Sequence, residues 1–331
     1  MTDQPKVMLS GRCMTICLLL FSIVITGYSQ DAGTKWINEN AYVVNADTAA
    51  STADLHFLST ELKNNTVFGL GEASHGTKEF FNQKRRIIEY GIVHLDYKRI
   101  GFEFRESYIA PLNQYLVNGT GDLKTLMEDM VLYNTAEIYQ LFQFIQQYNT
   151  TQPASKKVSV FGFDREEYAA DPLSRDKLMA ENIVSEQSSH QQKTIIWAHN
   201  VHIAKDTTMA QFKAMGYYLQ QHFGANFYVL GFDTFKGSVT VITAGGLAKQ
   251  DFETEKGSFS EIFAQANHPA YYLPFNKKPN PFSGVKNNIT NIYSNWTTNR
   301  DLPIIPGVDF DAILFIKTTT ASNILAAGAL K

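Results

Sequence analysis

Short apolar runs rich in β-branched and aromatic residues alternate along this chain with stretches of helical period, and no other feature narrows the fold as far. The runs are "TVFGLG" (66–71), "RIGFEF" (99–104), "VSVFGF" (158–163), "TIIWAH" (194–199), "FYVLGF" (227–232), "SVTVIT" (238–243), "AYYLPF" (270–275) and "AILFIK" (312–317). Each is too short for a helix and suits a buried strand. Helical stripes accompany the first five: Leu55, Leu58 and Leu62; Ile109, Leu112 and Leu116; Ile138, Leu141, Phe142 and Ile145; and Phe212, Met215, Leu219 and Phe223. Such alternation demands crossover connections, so the expected fold is α/β, with a mainly parallel central sheet flanked by helices. Less helix separates the last three runs, which predicts antiparallel edge strands. The polar segment "NKKPNPFSGVKNN" (276–288) reads as a surface loop.

The first 29 residues stand apart from this pattern. Lys6 and Arg12 precede the apolar run "ICLLLFSIVIT", and "GYSQ" follows with small residues at Gly27 and Ser29. That is the layout of a secretory signal peptide, with cleavage expected after Ser29 and a single α/β domain over 30–331. The apolar run is too short to span a bilayer. The expected location is therefore periplasmic or secreted, with no membrane association after cleavage. Both cysteines, Cys13 and Cys17, lie in the leader, so the mature chain has no thiol for a disulfide, a nucleophile or a metal. The net charge is −3 and no basic run occurs, which argues against a nucleic-acid partner. The sequence carries no signal of oligomeric state.

Ionisable groups gather where the apolar runs end. "TVFGLG" is followed by Glu72 and His75; "RIGFEF" contains Glu103 and is followed by Arg105 and Glu106. "VSVFGF" leads to Asp164, "TIIWAH" to His199, Asn200 and His202, and "FYVLGF" to Asp233. Open parallel sheets place their sites at the carboxyl ends of their strands. Taken singly, Asp164 and Asp233 would serve as helix caps. Glu103 is less easily assigned to the surface, because a carboxylate in an apolar run needs a partner. Lys84 shares a helix face with Phe80, Phe81 and Ile88, which aims its head toward the same region.

The chemistry these groups suit is base-catalysed attack by water. A histidine near a helix start is kept neutral by the backbone dipole, and Glu72, three residues before His75, can orient the ring and stabilise its cation. His199, His202 and a cation would then donate to a developing oxyanion. Ser74 lies in "GEASHG", which lacks the Gly-x-Ser-x-Gly elbow of a serine hydrolase. The Glu and His groups spaced at i, i+3 could instead ligate a metal, although the His-Glu-x-x-His arrangement is absent.

At these residues the chain resembles the erythromycin esterase family. "GLGEASHGTKEFF", "RIGFEF", "VFGFD", "RDKLMAENI", "TIIWAHNVHI", "MGYYL", "VLGFDTFKGSV" and "FDAILFI" look like successive family blocks in the family order. The resemblance implies an α/β core with helical additions and metal-independent hydrolysis of a cyclic ester. It further implies that His75 is the general base, that Glu72, Glu103, His199 and His202 line the site, and that no cofactor is needed. Lys84 stands where many members have an arginine, and it cannot make a bidentate contact. Longer members insert helices between the blocks "GFD" and "RDKLMAEN", where this chain has only "REEYAADPLS". That shortened cap argues against a macrolide ring as the natural substrate. The expectation is a hydrolase of a small-molecule ester or lactone, with His75, Glu72, Glu103, His199 and His202 catalytic and Lys84, Arg105, Asp164 and Asn200 binding substrate. A ligand-binding member without catalysis and a metal-dependent hydrolase remain open as alternatives.

Overall fold

The computed structural model describes residues 32–46, 51–298 and 300–325; the expected leader falls outside them. In chain order the strands are β1 (Tyr42–Val43), β2 (Val67–Leu70), β3 (Tyr97–Arg105), β4 (Ser159–Asp164), β5 (Lys193–Trp197), β6 (Phe227–Thr243), β7 (Gly246–Glu253), β8 (Ala270–Pro274), β9 (Asn287–Thr290), β10 (Asp301–Ile304) and β11 (Ala312–Thr319). Nine of them form one sheet in the order β1-β8-β11-β6-β2-β5-β3-β4, with β7 attached to β6. From β11 to β4 every neighbour is parallel. β8 and β1 make the expected antiparallel edge. β9 and β10 form a separate two-stranded ribbon, so Asn287 and Asn288 of the expected loop belong to a strand.

Alternation along the strands explains the layers. Phe68, Leu70, Ile195 and Trp197 point to one face and pack with helices Lys78–His94, Glu106–Asn118 and Ala136–Thr150. Val67, Ile196 and Ala198 point to the other, against helices Pro172–His190, Met215–Phe223 and Phe259–Ala264. Successive residues of a strand face opposite sides, and a parallel sheet covered on both faces is apolar at both. The stripes at 109–116 and 138–145 occupy two of these helices; Leu55 and Leu58 instead lie in two short helical turns, Ala53–Leu55 and Leu58–Glu61, with Leu62 just beyond, and Phe212 precedes its helix and is exposed.

The runs 227–232 and 238–243, expected as two strands, are one strand of 17 residues. The polar stretch between them stays extended because β6 changes partners. Its first part pairs with β2 and β11, and Lys236–Thr243 pairs antiparallel with β7. The Asp233 carboxylate at the changeover accepts hydrogen bonds from Ser260 Oγ at 2.8 Å and the Thr290 amide at 3.1 Å. A buried polar group with partners does not break a strand.

All the parallel strands run the same way, so β2, β3, β4 and β5 end on one edge of the sheet. Gly76 lies there against the second half of β6. Its carbonyl accepts from the Thr240 amide at 2.9 Å, and a Cβ at position 76 would stand 1.8 Å from the Thr240 carbonyl oxygen. Only glycine permits that approach, which fixes the turn carrying His75.

Candidate active site

Glu72 leaves β2 fully buried, and its carboxylate is surrounded by donors. Oε1 accepts from His75 Nδ1 at 2.7 Å and from the Tyr133 hydroxyl at 2.9 Å. Oε2 accepts from Lys84 Nζ at 2.7 Å and from Trp197 Nε1 at 2.8 Å. Burial pushes its pKa up, but the Lys84 cation and the hydrogen bonds from His75 and Lys84 outweigh that and hold it below the usual carboxylate value.

His75 is set by this carboxylate. Donation from Nδ1–H to Glu72 leaves Nε2 as the basic nitrogen. The Tyr133 oxygen lies 3.1 Å from the same Nδ1, and burial raises the phenol pKa well above normal, so the hydroxyl remains a donor to Glu72. The ring packs against that of His199, with centroids 4.8 Å apart.

A second cluster forms from β3, the turn after β5 and the Pro172–His190 helix. Glu103 accepts from the His199 amide at 2.8 Å, lies 3.4 Å from His202 Nε2 and lies 3.5 Å from Arg175 Nη2. Burial alone would raise its pKa; His202, His75 and Arg175 hold it far below the usual range. His202 is clamped from the other side by Asp176, 2.8 Å from Nδ1. Burial works against its charge, but Glu103 and Asp176 raise its pKa and favour the imidazolium. Arg175 donates to Asp164 at 2.8 Å; burial opposes its charge, and Asp164 and Glu103 more than restore it.

His199 differs from what the sequence suggested. Its Nε2 lies 3.2 Å from the Ile292 carbonyl and its Nδ1 accepts from the Val201 amide at 3.4 Å, so both ring nitrogens are occupied. Burial first, then neighbouring His75, pushes its pKa down to about 3. It stands as a neutral spacer, and its ring has no N–H left for an oxyanion.

Three of the four expected substrate contacts are also displaced. Lys84 is fully buried beneath the site, on Glu72 and over the Trp197 ring at 4.4 Å, and burial lowers its pKa to about 8. Asn200 is equally buried; it donates to the Phe232 carbonyl at 2.7 Å and accepts from the Phe232 amide at 3.2 Å, tying the turn after β5 to β6. Arg105 pairs with Glu166 beside a neighbouring cavity of about 470 Å³ rather than with the His75 cluster. Asp164 adjoins the cluster as the anchor of Arg175. Ser74 is buried and bonded to Thr77. Among the described residues, no group of three or more His, Cys, Asp or Glu side chains is arranged to hold a metal ion.

The two clusters meet at a cavity of about 240 Å³, with His75, Glu103 and Arg175 on its polar wall. Tyr133, Trp197, Arg175 and Asp176 were not singled out from the sequence. Arg175 and Asp176 open the block "RDKLMAENI", whose paired charges at the head of a helix were the available signal. Tyr133 sits in a short irregular helical turn, Glu128–Tyr133, and no periodicity marks it.

Residues 165–319 match the erythromycin esterase family profile, a span that includes Arg175, Asp176, His199 and His202 but not Glu72, His75 or Glu103. No curated protein matches the sequence. Among solved structures, a Bacillus cereus protein shares the fold at TM-score 0.79 and 19% identity, over 89% of this chain and 99% of its own. A succinoglycan biosynthesis protein does so at TM-score 0.80 and 18% identity, over 89% and 99%. A mutant of the erythromycin esterase EreC in its open conformation aligns at TM-score 0.67 and 12% identity, over 87% of this chain and 99% of that one. At these identities the structural likeness speaks for the fold. The erythromycin esterase profile thus matches the part of the chain that carries the second half of the site, on a fold shared with an erythromycin esterase.

Proposed function

We propose that the chain is a hydrolase in which His75 activates water against the carbonyl of a small-molecule ester or lactone. The observation that carries this reading is the 2.7 Å contact between Glu72 and His75 Nδ1 on the wall of a cavity. Glu72 fixes the tautomer with Nε2 unprotonated. That nitrogen takes a proton from water as the water oxygen attacks the carbonyl, and Glu72 stabilises the resulting imidazolium. Arg175, on the same wall, faces the oxygen that becomes negative. The imidazolium then returns its proton to the departing alkoxide. His202 and Asp176 position Glu103, which with Asp164 holds Arg175 in place. In this reading no metal takes part, and the enzyme works outside the cytoplasm once its leader is removed.

The test is turnover of simple esters and lactones by the purified protein and by His75→Ala. The expected loss is about 10²- to 10⁴-fold in kcat, the usual range for removing a general base. Equal rates in the two proteins would reject the assignment. Activity should survive dialysis against a chelator; loss on dialysis with recovery on adding back zinc would support the metal-dependent alternative. Ligand binding without product would support the non-catalytic one.

A further inference from the structure

The cavity beside His75 is lined by both charged and apolar side chains. Besides His75, Glu103, Arg175 and Ser294, it is lined by Phe104, Met130, Val131, Leu132 and Ile242. Met130 and Leu132 are buried, whereas Val131 between them is 47% exposed. Val131 also has φ 48° and ψ −110°, a conformation that a β-branched residue avoids. A strained residue persists only when its neighbours over-determine it, as these two buried flanks and the Tyr133 contact to Glu72 do. The strain therefore turns an apolar strap onto the cavity.

Charge on the polar wall is already balanced. Arg175 is paired with Asp164 at 2.8 Å and Glu103 at 3.5 Å, and Glu103 stays anionic in a buried cluster. An arm ending in a carboxylate would meet that anion and find its cation taken. An uncharged arm would displace water from the strap at no electrostatic cost. The volume, about 240 Å³, falls below the range of roughly 300–1,000 Å³ typical of drug-sized ligands.

Resting on the hydrolase reading above, we infer that the substrates of this site are small esters with a short, uncharged, apolar acyl arm that packs on the strap Met130–Val131–Leu132. Methyl butyrate and monomethyl succinate differ only in a terminal methyl against a carboxylate, and a pH-stat follows both. The expected kcat/KM favours butyrate by about tenfold or more, and butyrate over acetate by a similar factor. Val131→Asp should cut the butyrate value about tenfold, and Val131→Gly, which suits the φ 48°, ψ −110° backbone and so keeps the fold, should lower it in the same sense by removing the apolar side chain. Equal rates for the three esters, all abolished by His75→Ala, would overturn the substrate inference and leave the hydrolase intact.

If no ester is turned over, the hydrolase reading fails and binding still decides this one. Pentan-2-one and levulinate are the matching unreactive pair, compared by ligand-observed NMR. Binding of the ketone alone, weakened by Val131→Asp, supports the apolar subsite. Equal binding of the two, or none, overturns it.

Discussion

Glu72 shows at a single residue how the site is assembled. Its four donors come from four places in the sequence, and each relieves part of the cost of burying a carboxylate. Lys84 supplies the counter-charge. Replacing it with methionine leaves a buried anion without its cation, and breaking such a pair costs about 3 to 5 kcal/mol. Lys84→Met should show that loss in urea unfolding. Tyr133 acts on the same oxygen, so Tyr133→Phe removes one hydrogen bond to a charged group, worth about 1.5 to 3 kcal/mol of stability. Because Tyr133 touches Glu72 and His75 Nδ1, the kinetic effect should fall on kcat, with KM held. Steady-state kinetics on any accepted ester separate the two constants.

Among elements, the turn between β2 and the Lys78–His94 helix is the most constrained. Gly76 is pressed against β6, and the obstacle to a side chain is the backbone of Thr240, which cannot rotate away. Gly76→Ala should therefore destabilise by at least the ~1–3 kcal/mol of ordinary overpacking, and shift His75 as well. Thermal unfolding reads the first effect and residual kcat the second. The Pro172–His190 helix contributes differently. It brings Arg175 and Asp176 side by side, one to Asp164 and Glu103, the other to His202. Arg175→Lys keeps the charge but gives up the paired donation from Nε and Nη2 to Asp164. Its expected signature is a lower kcat/KM with little change in melting temperature.

For the whole molecule, buried titratable groups couple folding to pH. His199 is held at about 3 against 6.5 when unfolded, so between these values the unfolded chain binds a proton that the folded chain refuses. His199 by itself therefore makes stability rise with pH across that window, whereas Asp233 and Asp309, raised by burial to about 7 and about 8, act in the opposite sense between 3.8 and those values. Glu103 and Glu72, both lowered, act in the same sense as His199 below their unfolded value of 4.5. His202 has the opposite sign, but in another window: its contribution is complete below 6.5 and is lost as pH rises through its raised value. Between pH 6.5 and 4.5, urea unfolding of His199→Gln should show a slope lower than wild type by about one proton. An unchanged slope would mean that His199 is charged when folded. The apolar runs, and the polar groups that follow them, were enough to predict a parallel sheet, its antiparallel edge and the meeting of Glu72, His75, Glu103 and His202 on one side, because strand direction alone puts carboxyl ends together. They could not say which ring nitrogens are free, that Lys84 and Asn200 turn inward, or that Tyr133 and Asp176 join the cluster. Those outcomes depend on contacts between residues up to about 125 positions apart, as between Trp197 and Glu72, and spacing along a chain carries no information about them. Local periodicity fixed the elements and the edge where they end; packing and the obligation to pair every buried charge decided what each side chain does there.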